Sequence, residues 1–350
     1  MPLSGGPFFA GRPERGLLGE LAPEEAKDSC PPPVVSAGPL DEMGIPDHIE
    51  SSALKRLVGL QLDVWPEHLD FLEKSFADVS SDGGTAEGIA SLILRLISDR
   101  LAEACRDYRW TCERLLEEEL HFRRTGRYRL SSFAEAQREV YADESFMDRY
   151  LNGLLLSQVF WSNHRNVLDF YVSGFLDGNA DAFDHLEIGP GHGLYLYYVA
   201  RDRRCVSATG WDISPAGVRA TLVSLERLAM GDRVRVERGD IVKRPEAAEA
   251  FDSIVVSEVL EHLEAPDAAL GNVRRLLRPG GRLFVNMPVN SPAPDHIHLL
   301  RAPEEVVSLV AAAGFDVVEA RFFPATGMTE ARARKLATTI SCAVIATRRA

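Results

Sequence analysis

The chain contains no apolar run near the roughly 18 residues that a membrane helix needs, which argues against a membrane protein. It has little cysteine. The five residues, Cys30, Cys105, Cys112, Cys205 and Cys342, are an odd number with no Cys-x-x-Cys pair. That usage fits a reducing cytoplasm and offers no ligand set for a structural zinc. Positive charge is also short: 39 Lys and Arg stand against 52 Asp and Glu, a net charge of −13. Nucleic-acid binding leans on phosphate neutralisation, so this balance argues against a polyanion as the main partner. Met1 to Arg15 lacks an apolar core followed by a small-residue cleavage site, so no signal peptide is expected there.

What is present is an ordinary globular composition, 45% hydrophobic and 26% charged, in a chain of 350 residues, longer than one typical domain. Residues 1–45 are rich in Pro and Gly (Pro31-Pro32-Pro33, Gly5-Gly6), show no period, and read as a flexible leader. Residues 46–178 read as helical. Ile89, Leu92, Ile93, Leu96, Ile97, Leu101, Ala104, Cys105, Tyr108 and Cys112 recur every three or four positions, which predicts one face of a long helix. Ser131-Ser132 suits the start of another, with Glu135 and Glu139 on its polar side. Phe146 to Phe175 is too apolar for a face left in water, so this segment is expected to pack on the next domain, a second subunit or a substrate. A helical cap or dimerisation domain is the expected result, and a homodimer is one of its outcomes.

From residue 179 to 350 the pattern changes to short apolar runs alternating with helical stretches, the mark of βαβ units and a mostly parallel sheet. The runs are His185–Ile188, Val206–Trp211, Val234–Glu237, Asp252–Val256, Arg282–Asn286, Asp316–Arg321 and Ile340–Thr347. Seven strands make a complete α/β doubly wound domain, whose ligands sit at the carboxyl ends of the strands. The first run leads into Glu187-Ile188-Gly189-Pro190-Gly191-His192-Gly193 and then an apolar helical stretch. Glycines let the backbone turn sharply and approach a ligand, and the helix start offers free N–H groups to an anion. The second run ends at Asp212, where a carboxylate can accept from both ribose hydroxyls of an adenosine. After the third comes Gly239-Asp240-Ile241, whose acid can bond an exocyclic amine. After the fourth comes Ser257-Glu258-Val259-Leu260-Glu261-His262, and after the fifth Asp295-His296-Ile297-His298. Glu258, Glu261 and His262, at i, i+3 and i+4, are expected on one face of a helical turn, a set suited to a divalent cation.

In combination these stretches resemble the class I S-adenosylmethionine-dependent methyltransferases, as do Leu277-Arg278-Pro279-Gly280-Gly281 and Ala312-Ala313-Gly314-Phe315. The resemblance implies a Rossmann-like seven-stranded sheet with its last strand antiparallel. It implies that Glu187, Gly189, Gly191 and Gly193 hold the methionine part of the cofactor and Asp212 the ribose. Asp240 would hold the adenine, with Ile241 and Ser257 beside it. Dinucleotide binding competes less well, because Leu194 stands where Gly-x-Gly-x-x-Gly needs its last glycine. Glu-x-x-Glu-His with a later His is similar to two metal-dependent subgroups, the small-RNA terminal 2′-O-methyltransferases and the polyprenyl-dihydroxybenzoate O-methyltransferases. It implies a metal set of Glu258, Glu261, His262 and His296 for Fe, Mn, Zn or Mg. Without a metal, His296 or His298 becomes the candidate general base, and His262 and His296 are the expected catalytic histidines. His48, His68, His121, His164 and His185 read as structural or surface residues, His164 being the one within reach of the mouth of the site. The acidic chain disfavours RNA, and the apolar segment before the sheet favours a small organic acceptor. Helical N-terminal extensions of this kind resemble those of bacterial natural-product methyltransferases, as in antibiotic biosynthesis. A non-catalytic scaffold of the same fold would have no use for the glycine turn and both acids.

Overall fold

A computed structural model describes residues 52–80, 83–243, 245 and 248–349. The leader expected over residues 1–45, with Cys30, and also His48, lies outside the described residues. The helical part runs from α1 (Ser52–Val64) through α2 (Leu69–Phe76), α3 (Gly84–Leu96), α4 (Leu101–Thr125) and the short α5 (Phe133–Ala136). It ends with α6 (Glu144–Phe160) and α7 (Ser162–Phe170). The single long helix expected over Ile89 to Cys112 is in fact two. Ile97 closes α3 and Arg100 opens α4, with Ser98 and Asp99 between them, residue types that compete with helix through their own backbone bonds. Ser132 does cap a helix, in a reciprocal box with Glu135, but α5 is one turn long and passes into a π-helical turn, Gln137–Tyr141. The apolar stretch Phe146 to Phe175 is likewise broken at Trp161 between α6 and α7.

The remainder is a seven-stranded Rossmann-like sheet in the order β3-β2-β1-β4-β5-β7-β6. Its strands are β1 (Phe183–Ile188), β2 (Cys205–Asp212), β3 (Val234–Arg238), β4 (Phe251–Ser257), β5 (Leu277–Val289), β6 (Phe315–Pro324) and β7 (Ile340–Arg348). β1 to β5 pair in parallel, and β7 runs antiparallel to both of its neighbours. The helices α8 (Leu194–Arg201), α9 (Pro215–Arg227), α10 (Pro266–Leu276), α11 (Pro303–Ala312) and α12 (Glu330–Leu336) complete the domain.

Side-chain alternation along the strands assigns the two faces. Val255, Phe284, Ala343 and Ile345 join a core shared with α1 to α4 and α6 to α9. Ile254, Val256, Leu283, Val285 and Val344 join a second core under α10 and α11. The first core contains an aromatic wedge, in which Phe170, Tyr171 and Phe175 pack their rings 5.4–6.2 Å from Phe284 of β5. The apolar content of the segment before the sheet is thus consumed inside the chain. The strand order reverses between β1 and β4, and the carboxyl ends of those two strands open a crevice there.

Candidate active site

The turn after β1 needs its glycines for two reasons. Gly189, Gly191 and Gly193 all have left-handed φ, +66°, +49° and +76°, which an L side chain resists. A Cβ on Gly189 would also lie 2.6 Å from Val259. The turn is closed by the Gly193 N–H on the Pro190 carbonyl (2.7 Å) and tied to β2 by the Gly189 N–H on the Trp211 carbonyl (2.7 Å). α8 then starts at Leu194, whose N–H donates to His192 Nδ1 (3.3 Å).

Glu187, Gly189, Gly191, Asp212, Asp240, Ile241 and Ser257 all line one cavity of about 430 Å³, whereas Gly193 sits behind it at the start of α8. Asp212, at the end of β2, is buried and accepts from the Ser214 N–H (2.8 Å). Burial raises its pKa. It fits only because residue 217 is glycine, where a Cβ would come within 2.3 Å of a carboxylate oxygen. Asp240 accepts from the Val242 N–H (3.0 Å) and faces Lys243 at 3.4 Å. Ser257 accepts from the Asn286 amide at 3.3 Å. Glu187 is buried with one oxygen unpartnered, and burial pushes its carboxyl up to about 8. The helical layer supplies the opposite wall, through Met147, Tyr150, Leu151 and Leu154 of α6.

At the far end of the cavity the expected metal set is reshaped. Glu258 does not share a helical turn with Glu261 and His262, because only Leu260–His262 form a tight turn and Glu258 itself has φ +54°. Asn286 of β5 causes this. Its carbonyl accepts from the Glu258 N–H (2.8 Å), and its amide donates to the Glu258 carboxylate (2.7 Å). A non-glycine residue in that conformation is strained, and such strain gathers at functional sites. Glu261, His262 and His296 bring one ligand atom each to within 4.8 Å of one another, and the Glu258 carboxylate stands next to Glu261.

Both imidazoles are oriented for this cluster. His296 Nδ1 lies 2.6 Å from the Ser291 carbonyl and His262 Nδ1 3.1 Å from the Asp295 carbonyl. A carbonyl only accepts, so both δ nitrogens carry the proton and both ε nitrogens are free as ligands. Those ε nitrogens lie 4.0 and 3.9 Å from the same Glu261 oxygen. Burial holds the His296 ring down at about 4, so it stays neutral. Glu261 is fully buried, and its carboxyl group has no side-chain partner beyond the Glu258 carboxyl, with which it shares a hydrogen bond. Burial and the neighbouring Glu258 carboxylate raise its pKa strongly. Two buried acids that have only each other, set beside two imidazole ε nitrogens, are costly alone and suit a cation.

Beyond the Asp295-His296 pair, the residues that brace this site carry no signal in the sequence. Asp295 is buried and accepts from the hydroxyls of Tyr141 (3.1 Å) and Tyr150 (3.3 Å), and its carboxylate lies 3.4 Å from His262 Nδ1. Tyr128 accepts from the Ser291 N–H (3.0 Å) behind His296. Three tyrosines of the helical part therefore brace the two histidines. The Glu261 carbonyl in turn accepts from the N–H groups of Ile297 and His298, strapping the loop after β5 to the turn after β4. His298 itself does not line the cavity. His164 does, hydrogen-bonded to Ser157 (2.9 Å), as does His192 within the glycine turn, and burial lowers both, to about 3 and about 4.

Residues 186–283 match the family model of a methyltransferase domain. An O-methyltransferase of Pyrenophora dematioidea is 29% identical over 146 residues, 38% of this chain and 54% of that protein. A ubiquinone biosynthesis O-methyltransferase of Xanthomonas oryzae pv. oryzae is 35% identical over 109 residues, 31% of this chain and 44% of that protein. The chain spans about half the length of these curated relatives. Among solved structures, an S-adenosylmethionine-dependent methyltransferase from Aquifex aeolicus aligns over 59% of this chain and 98% of its own. The identity is 17% and the TM-score 0.43. The match to the methyltransferase domain begins inside β1 and ends in β5, so it includes the glycine turn, Asp212, Asp240 and the Glu258–His262 stretch. His296, Asp295 and the bracing tyrosines fall outside it.

Proposed function

We propose that the protein is an S-adenosylmethionine-dependent methyltransferase that acts on a small organic acceptor, at oxygen or at an enolate carbon. The observation that carries this reading is the convergence of the glycine turn, Glu187, Asp212 and Asp240 on one cavity whose far end is the Glu261 cluster. The cofactor, when bound, supplies a methyl group on a sulfonium that is already a strong electrophile. The chain's task is then alignment and deprotonation. Asp212 would accept from the ribose hydroxyls, Asp240 would hold the adenine and Glu187 the methionine ammonium. α6 would exclude water from above.

The residues at the far end also fit a divalent cation, held by Glu261, His262 and His296 with Glu258 beside them. Such an ion would supply Lewis acidity that lowers the pKa of an acceptor hydroxyl. Two imidazoles favour Mn²⁺, Fe²⁺ or Zn²⁺ over Mg²⁺. An acceptor with two adjacent oxygens, such as a catechol or a 2-oxo acid, suits that arrangement. The four described cysteines are all buried and free, in keeping with a reducing cytoplasm, and a role in secondary metabolism completes the reading. Calorimetry of S-adenosylmethionine binding tests it. Asp212→Ala should weaken affinity by about 1.5–3 kcal/mol, the cost of losing hydrogen bonds to a charged acceptor. Unchanged affinity would remove the cofactor from this cavity.

A further inference from the structure

A second, smaller cavity of about 100 Å³ adjoins the first. The two share Tyr150, Leu154, His164, Glu258 and His296, so the smaller space starts beside the Glu261 cluster and leads away from the cofactor turn. Its far walls are Phe71 and Leu115 of the helical part, Pro288 near the end of β5, Ala293 after it, and Ala325 and Thr338 between β6 and β7. Among the described residues no lysine or arginine lines it, and its one further acid, Glu119, is paired with Arg123 at 2.6 Å. The polar groups on its walls are mostly in use already. The Thr326 hydroxyl accepts from the Ser162 N–H (3.0 Å), and Ser341 accepts from the Asn163 amide (3.0 Å). Thr339 donates to the Asn290 carbonyl (3.3 Å). Only the buried Thr338 hydroxyl is left without a partner among these hydroxyls.

Resting on the methyltransferase reading above, we infer that this side chamber holds the body of the acceptor: one uncharged, ring-sized apolar group attached to the oxygen pair that faces Glu258 and His296. Size sets the limit: a dry cavity of ~150 Å³ lined by aliphatic side chains accepts benzene, so a chamber of about 100 Å³ takes one ring only together with space in the adjoining main cavity. This chamber is smaller but opens onto the main cavity, so a ring entering from there is not confined to it. Charge supports the assignment. A phosphate or carboxylate tail would be buried with no cation to pair it, which is strongly unfavourable. Specificity then comes from the junction of the two cavities, where the acceptor's polar head meets its apolar body.

The test is calorimetric binding of two probes, catechol and 4-phenylcatechol, to the full chain saturated with S-adenosylhomocysteine and Mn²⁺. Wild type should bind 4-phenylcatechol more tightly by about tenfold or more, the effect of burying one ring face. Ala325→Phe fills the chamber from the strand side and Leu115→Trp from the helical side. Each should bring the two probes to within about threefold of each other while leaving S-adenosylhomocysteine affinity unchanged. Equal binding of both probes by wild type, or a preference that survives both substitutions, overturns the inference. So does failure of either probe to bind a chain that does bind S-adenosylhomocysteine. Failure of S-adenosylhomocysteine itself to bind wild type overturns the methyltransferase reading instead.

Discussion

The two ends of the main cavity are built differently. At the nucleotide end, each acid follows its strand directly and is held by the backbone of its own loop, Asp212 by Ser214 and Asp240 by Val242. At the other end, Glu258 is held by Asn286 of β5, and His262 is braced by Tyr141 of the helical part, directly and beside Asp295, all partners distant in sequence. The second end contains two buried acids, Glu258 and Glu261, hydrogen-bonded to each other. Bonds within single loops set the acids of the first end, whereas the second end depends on the packing of two regions against each other.

The sharpest way to break this contrast is to disable one end alone. Chelator treatment, or His296→Ala, should reduce methyl transfer by at least about 100-fold while cofactor affinity changes by less than about twofold. Full turnover in excess chelator, with no metal found by elemental analysis, would leave His296 as a simple base. Next in size is Asp295→Asn, which disturbs the bracing of His262. It should weaken metal binding by roughly 10–100-fold, the usual effect of an outer partner, measured by competition with a chromogenic chelator. An unaltered metal affinity would reduce the tyrosine–Asp295 network to packing.

At the nucleotide end, Gly217→Ala puts a methyl group into the Asp212 carboxylate and should weaken cofactor binding by roughly tenfold, with metal affinity untouched. The smallest expected effect is that of pH. Glu187 has a raised pKa, so in the free protein it is protonated at neutral pH, and a methionine ammonium favours its ionised form. Binding then expels a proton, and affinity should rise with pH, by about ninefold from pH 6 to 7. The same shift means the ligand-free fold loses stability as pH climbs from the ordinary glutamate range through about 8. Glu187→Gln should flatten the affinity slope. A slope that persists in that variant would assign the titration to another group.

The contrast also explains what could be read in advance. Period-two apolar runs and the glycine turn are local patterns, and each of the seven expected strands lies within an observed one. The helical part was legible as helical but not in its breaks. Apolar spacing continues through Ile97 and Leu101 although the backbone turns at Ser98 and Asp99. Glu258 shows the same limit. Its i, i+3, i+4 spacing is real, but Asn286, on another strand, sets its backbone angle. Tyr141 and Tyr150 had no pattern to betray them, since their partners Asp295 and His262 lie more than a hundred residues away.

The position of β7 has a consequence for how the chain is made. β6 is synthesised first, yet its sole neighbour in the sheet is β7, which inserts between it and β5. Until β7 has left the ribosome, β6 carries an open edge and Phe322 and Phe323 lack the strand that β7 lays beside them. The nucleotide end can take shape early, from β1 to β4. The side-chamber wall formed by Ala325, Thr338 and Ser341 closes only with the last strand of the sheet, so on the proposed reading a nascent chain would form its cofactor cradle before its acceptor chamber.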